Sequence, residues 1–289
     1  MSQPLHIDIP AVLKAKAPGA HIPAFVVRYL ERITHVHQMN RFLAAHPDVT
    51  GYDFIRLILA EEFHCTASIH GTDNIPQDDA PMLFVSNHPL GGLDGVIEAL
   101  MIGEHRRYNL RVIVNDLLMY MKPLAELFMP VNIGGGQSRE YATQLRNMWD
   151  SGCDVLSFPA GACSRKQKTR RGLFAPKQIK DLEWKKSFVQ QAVRYQRDVV
   201  PIYFDGRNSG WFYNLAYWRK RLGIKLNIEM LYLVDELYGA SGKHFTVHVG
   251  KPIPWQTFDN TRTPAQWAQW VKEQVYLIPA QNAQTNQTK

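Results

Sequence analysis

Apolar positions recur at helical spacing across residues 22–46, where Phe25, Val26, Tyr29, Leu30, Ile33, Val36, Met39, Phe42 and Leu43 follow a 3.6-residue repeat. A second helical pattern fits Gly51 to Phe63. Together they predict a helical hairpin ahead of the rest of the chain. From Thr66 to Gly71 the alternation shortens to a strand pattern, and Pro76-Gln77-Asp78-Asp79 reads as a turn. Short apolar runs then alternate with longer periodic segments. Strands are expected at 81–86, 111–114, 154–158, 199–204 and 245–250, and helices at 95–104, 137–150, 181–197 and 264–277. Such alternation predicts an α/β fold with a mostly parallel sheet flanked by helices and preceded by the N-terminal helical hairpin. The expected organisation is a hairpin over 1–64, an α/β domain over 65–278 and a polar, disordered tail over 279–289.

The 289 residues, 45% hydrophobic and 20% charged, suit one large α/β domain with a sizeable core. No window reaches the roughly 20 apolar residues of a membrane span. The N-terminus lacks a charged start followed by an apolar core, so no signal peptide is expected. Cys65, Cys153 and Cys163 are odd in number and widely spaced, without a metal-type pair. Free thiols and a cytoplasmic setting follow as expectations. The net charge of +7 is concentrated in Arg165, Lys166, Lys168, Arg170 and Arg171, and again in Arg219, Lys220, Arg221 and Lys225. Those clusters are either solvated faces or surfaces for an anionic partner such as a phosphate, an acidic carrier protein, anionic lipid or nucleic acid.

Chemistry concentrates where strands end, as expected for sites on open parallel sheets. After the apolar run 81–85 comes Ser86-Asn87-His88-Pro89-Leu90-Gly91-Gly92-Leu93-Asp94-Gly95. A histidine six residues before an aspartate suits a general base with an orienting carboxylate. The plainer alternative is a turn histidine and a helix-capping aspartate. Gly91 and Gly92 would let backbone approach a ligand. The loop Phe158-Pro159-Ala160-Gly161-Ala162-Cys163-Ser164-Arg165 offers backbone N–H groups and Arg165 to an anion, or is merely a charged surface loop. Gly134-Gly135-Gly136, leading towards Arg139, matches no nucleotide-binding motif. Past the 199–204 strand, Arg207 and Asn208 are placed to line a site. No G-x-S-x-G elbow occurs, Cys163 reads as an ordinary loop cysteine, and His35 and His37 diverge on a helix, so no metal site is expected. The stretch from Trp211 to Leu222 mixes Trp and Tyr with Arg and Lys. It suits a membrane interface, a core helix end, or stacking on single-stranded nucleic acid.

These segments, in this order, resemble the glycerolphosphate and lysophosphatidate acyltransferase family. Its N-H-x-x-x-x-D block is matched by Asn87-His88 through Asp94, with one extra residue in the interval. Its F-P-E-G block is matched by Phe158-Pro159-Ala160-Gly161, with Ala160 at the glutamate position and the arginine displaced to Arg165. Its V-P strand is matched by Val200-Pro201, and its second block loosely by Gly134 to Arg139. The resemblance spans roughly 65–255 and is nearer to a bacterial branch acylating lipoamino-acid or glycerol-type acceptors; the front hairpin also resembles an arrangement seen in that family.

The resemblance implies transfer of a fatty acyl chain from acyl-carrier protein or acyl-CoA to a lipid hydroxyl. No cofactor is implied beyond that thioester co-substrate. His88 and Asp94 would be catalytic. Asn87, Gly91, Gly92, Arg139, Phe158, Pro159, Gly161, Arg165 and Arg207 would bind substrate, with N–H groups near Gly91, Gly92 or Gly161 stabilising the oxyanion. A lipid product implies a peripheral position on the inner face of the cytoplasmic membrane, with 211–222 touching an anionic surface and no nucleic-acid partner. A non-catalytic lipid- or carrier-binding protein and an acyl thioesterase are the alternatives.

Overall fold

The computed structural model describes residues 6–16, 19, 21–131, 139–168, 176–224 and 227–287. Five helices or strands build the front of the chain: α1 Ile9–Lys16, α2 Ala24–Ile33, α3 Val36–Ala45, α4 Gly51–Leu57 and β1 Thr66–His70. The expected single helix over 22–46 is broken between α2 and α3, where His35 takes a left-handed φ of 47°. Beyond α4 the coil widens into a π-helical turn, Ile58–Glu62.

The sheet then develops through β2 Leu83–Ser86, α5 Leu93–His105, β3 Leu110–Asn115, β4 Phe128–Val131, α6 Arg139–Asp150 and β5 Asp154–Ser157. A small hairpin follows, β6 Arg165–Lys168 and β7 Lys177–Lys180. The chain closes with α7 Ser187–Tyr195, β8 Val199–Asp205, α8 Gly210–Arg221, α9 Leu233–Tyr238, β9 His244–Val249 and α10 Pro264–Gln287. The seven-stranded order is β1-β9-β8-β2-β5-β3-β4. Strands β8, β2, β5, β3 and β4 run parallel; β9 pairs antiparallel with β8 and parallel with β1. This is the mostly parallel, helix-flanked α/β sheet expected.

Each side of the sheet has its own core, set by the period-two alternation of strand side chains. Phe84, Leu156, Val200 and Ile202 face Phe54, Ile55 and Ile58 of the front helices and Ile97 and Met101 of α5. Leu83, Val85, Val155 and Val199 face Phe188 and Val189 of α7 and Val271 and Val275 of α10. Met39, Phe42 and Leu43 of α3 and Phe54 and Ile55 of α4 thus share one core with the sheet. The central position of β2, with its four buried residues, puts the loop after Ser86 at the middle of the C-terminal edge of the parallel strands.

Two expectations are corrected. The helix anticipated from 181 starts only at Ser187, because Asp181 turns its carboxylate inward to the Trp184 indole N–H and the Ser164 hydroxyl. The tail anticipated as disordered from 279 continues α10 as far as Gln287. Buried Val271, Val275 and Ile278 anchor that helix on the sheet, and it passes through Pro279.

Candidate active site

Because Phe84 and Ser86 share a face of β2, the Ser86 hydroxyl points at α5 and donates to Glu98 at 2.6 Å. Glu98 is fully buried, and burial pushes its carboxyl well above the usual range, while the bond from Ser86 opposes that rise. Asn87 turns the other way. Its amide donates to the Phe204 carbonyl at 2.9 Å and accepts from the Phe204 N–H at 2.7 Å. Both halves of the amide thus engage β8, and Asn87 clasps the end of β2 to that strand.

His88 comes next. Its Nδ1 lies 3.0 Å from Asp94 Oδ2. The loop between them wraps around the carboxylate, which accepts N–H bonds from Leu90, Gly92 and Gly95, each at 2.9 Å, and a longer one from Gly91 at 3.4 Å. That wrapping absorbs the extra residue of the His–Asp interval. Gly91 sits at φ 83°, and a Cβ there would lie 3.1 Å from both the Cys163 Cβ and the Leu233 methyls. Only glycine meets both demands.

Burial by itself would lower the His88 pKa, but the charge and hydrogen bond of Asp94 outweigh it and raise the pKa. Burial likewise disfavours the Asp94 carboxylate, and His88 with the surrounding N–H groups reverses this and lowers its pKa. The bond from Nδ1–H to Asp94 fixes the tautomer with the Nε2 lone pair free. The Phe158 ring stacks on the imidazole, with centroids 4.2 Å apart.

A second buried carboxylate holds the histidine from behind. Asp181 Oδ1 accepts the His88 backbone N–H at 3.2 Å and the Ser164 hydroxyl at 2.6 Å; Oδ2 accepts the Trp184 indole N–H at 2.9 Å. The Ser164 N–H in turn donates to the His88 carbonyl at 2.7 Å. Lys272 of α10 donates to the Asp181 carbonyl at 2.7 Å, tying the arrangement to the last helix. Burial pushes the Asp181 pKa up, and bonds from Ser164 and Trp184 oppose that rise. Sequence reasoning did not single out Asp181, Ser164, Trp184 or Glu98.

The remaining expected site residues divide. Phe158 is at the imidazole, and Pro159 is buried with its carbonyl accepting the Lys185 N–H at 2.9 Å. Gly161 takes φ 66°, and Lys185 Nζ lies 2.7 Å from where its Cβ would be. The Gly161 N–H closes a turn onto the Phe158 carbonyl at 2.9 Å. Since the Gly92 N–H is spent on Asp94 as well, the oxyanion donors expected at Gly91, Gly92 and Gly161 are committed within the fold. Arg165 is not presented to a ligand either. It ion-pairs with buried Glu229 at 3.2 Å, lies over the Phe212 ring, and shares Glu229 with Arg219, whose contact at 2.7 Å is ionic rather than a directed hydrogen bond. Arg139 opens α6, and its side chain lies outside the described residues, as do Gly134 to Gly136. Arg207 is exposed and lines a cavity of about 630 Å³. Cys163 is fully buried and its thiol is pushed up to about 11 by burial, which removes it as a nucleophile.

Among the described residues no group of histidine, cysteine, aspartate or glutamate side chains is placed to hold a metal ion, and no helix is long and apolar enough to cross a membrane. The site is a histidine with one free nitrogen, oriented by a buried carboxylate. It has the parts of a general base and, among the described residues, holds no activated nucleophile.

Comparison with known proteins adds the family. The sequence profile described as Acyltransferase matches residues 11–283. Lyso-glycine lipid O-acyltransferase of Phocaeicola vulgatus is 48% identical over 274 residues, covering 94% of this chain and 95% of that one. The protein of the same name from Bacteroides thetaiotaomicron is 45% identical over 274 residues, covering 94% and 97%. A solved structure, the 1-acyl-sn-glycerophosphate acyltransferase of Thermotoga maritima, aligns over 91% of this chain and 90% of that one at 14% identity and a TM-score of 0.40. From the profile and the two relatives, each spanning nearly all of the chain, it follows that the chain belongs to the acyltransferase family and is an enzyme of O-acyl transfer.

Proposed function

We propose that the protein moves a fatty acyl chain from a thioester, acyl-carrier protein or acyl-CoA, to the hydroxyl of a lyso-glycine lipid. The observation that carries the reaction is the 3.0 Å contact of His88 Nδ1 with Asp94, which leaves Nε2 as the basic nitrogen. The acceptor is taken from the two relatives of that name. His88 Nε2 removes the hydroxyl proton as the oxygen attacks the thioester carbonyl. Asp94 holds the tautomer and stabilises the imidazolium. The tetrahedral adduct collapses with loss of the thiolate, which takes the proton back from Nε2. The ester bond forms, the thioester bond breaks, and no covalent enzyme intermediate is needed.

The test is direct. Purified protein is incubated with labelled acyl-carrier protein, or with labelled acyl-CoA, and lyso-glycine lipid. Label in the doubly acylated lipid is the expected result. Label released only as free acid would identify a thioesterase, and an unchanged donor a binding protein.

The same reading puts the enzyme on the inner face of the cytoplasmic membrane. Trp211, Trp218 and Leu222 of the α8 region are 49%, 55% and 72% exposed, and Lys220 and Arg221 stand beside them. Phe25 of α2, also exposed, is joined to this region through the Tyr29–Tyr232 hydroxyl contact and the Tyr232–Trp211 ring contact. Exposed aromatic and aliphatic side chains next to basic ones suit an anionic bilayer surface. The protein is expected to co-sediment with anionic liposomes at low salt and to be released at high salt. Replacing Trp218 and Leu222 together by alanine should weaken sedimentation about tenfold, since each exposed side chain contributes apolar area at the interface. A protein that stays in the supernatant at low salt has no such surface.

A further inference from the structure

The cavity of about 630 Å³ lies beside the catalytic loop and none of the chemistry above uses it. Its floor begins at Asn208, a buried residue whose amide donates to the Leu90 carbonyl at 3.3 Å. Asn208 also lines a small apolar recess with Leu90, Gly92 and Leu93. The cavity therefore opens one residue away from the loop that carries His88. It lies at the same sheet edge, because Arg207 follows the C-terminal end of β8 and Lys243 precedes antiparallel β9.

The charges in this cavity are unequally committed. Its carboxylates are both engaged: Asp235 accepts from His35 Nε2 at 2.8 Å, and Glu236 accepts the Ser209 N–H at 2.6 Å and the Ser209 hydroxyl at 2.5 Å. Its two cations are not. Neither the Arg207 guanidinium nor the Lys243 ammonium has a hydrogen-bond or ion-pair partner among the described residues. Both are exposed to the cavity's solvent. Ile179 and Trp211, 37% and 49% exposed, form apolar wall beside them. A cavity with two free cations, occupied carboxylates and an apolar wall suits a small anionic group attached to a hydrocarbon chain.

Resting on the acceptor proposed above, we infer that this cavity is the acceptor's headgroup subsite, in which Arg207 and Lys243 hold its carboxylate. A glycine joined to a lipid through its nitrogen presents that carboxylate. The loop after β5 offers no free guanidinium for the purpose. Buried Cys163 stands two residues after Gly161, and Arg165 is held on Glu229. Among the described residues, the arginine after β8 is free at this sheet edge.

The test uses binding as well as turnover. N-octanoylglycine and its methyl ester are titrated separately into the full-length protein, with binding followed calorimetrically. The acid is expected to bind about tenfold more tightly than the ester, the effect of one charge-assisted contact in a solvated site. The Arg207→Ala, Lys243→Ala double variant should bind the two alike, while Arg207→Lys keeps a preference. Both residues are exposed, so the variants should fold, and circular dichroism checks this. In turnover, the double variant should raise the KM for the lipid acceptor about tenfold and leave the KM for the acyl donor as it was. Equal binding of acid and ester by the unmodified protein overturns the subsite. So does a preference that survives the double substitution. A rise in donor KM with the acid preference intact would give the cavity to the donor's phosphates and overturn the acceptor assignment. Binding preference without acyl transfer would keep the subsite and sink the proposed reaction; transfer without the preference would do the reverse.

Discussion

A His88→Ala protein is expected to lose about 10³ in kcat/KM for acyl transfer while remaining folded, the middle of the range for loss of a general base. The local structure argues for both halves of that outcome. The backbone of residue 88 is held independently of its ring, by the N–H bond to Asp181 at 3.2 Å and the carbonyl bond from Ser164 at 2.7 Å. Asp94 would keep its N–H donors from Leu90, Gly92 and Gly95. What disappears is the stacked ring on Phe158 and the one nitrogen able to take the acceptor's proton. The neighbouring thiol offers no substitute, because burial of Cys163 keeps it protonated. Steady-state transfer from a labelled thioester, alongside a thermal unfolding curve, measures the result. A folded variant with transfer near that of the unmodified protein would remove the general-base mechanism.

The His88–Asp94 pair was legible in the sequence because everything that makes it is local. The strand before it, the glycines within it and the helix after it lie within about twenty residues, and each leaves its own periodic or compositional mark. The clamp behind it was not legible. Asp181 is 93 residues from His88, and its segment carries a helical pattern that the carboxylate's three hydrogen bonds override. The clasp made by Asn87 was hidden for the same reason: nothing near it in sequence shows that Phe204, 117 residues on, would take up its amide. Arg165 drew attention as a cation in a loop, and only the fold brings buried Glu229 against it. Strand β4 escaped because Phe128-Met129-Pro130-Val131 is only four residues long and contains a proline, which weighs against a strand reading. For Asp181, Asn87 and Arg165 the surroundings of a polar side chain were decided by a partner far along the chain.

Asp94→Asn tests the other member of the pair, with an expected loss of about 10³ in kcat/KM and a change in the pH profile. In the native loop both carboxylate oxygens are acceptors: Oδ2 for His88 and Leu90, Oδ1 for Gly92 and Gly95. An asparagine must turn its NH₂ towards one set of these donors. Facing His88, it drives the proton from Nδ1 to Nε2 and leaves the working nitrogen unable to accept. Facing Gly92 and Gly95, it strands two N–H groups at about 1–3 kcal/mol each and loosens the loop. Either orientation removes the charge that holds the imidazolium. The sign of the pH effect follows from the forces on His88. Burial lowers its pKa and Asp94 raises it, with Asp94 prevailing, so the native base titrates above the ordinary 6.5 and kcat/KM rises as the pH climbs through that raised value. Without Asp94 the burial effect is opposed only by the more distant Asp181 carboxylate, and the midpoint should move to lower pH on a lower plateau. Asp94→Asn kinetics with an unchanged midpoint would mean that the carboxylate does not set the base's proton affinity, and a native plateau would mean that the pair is not the catalytic one.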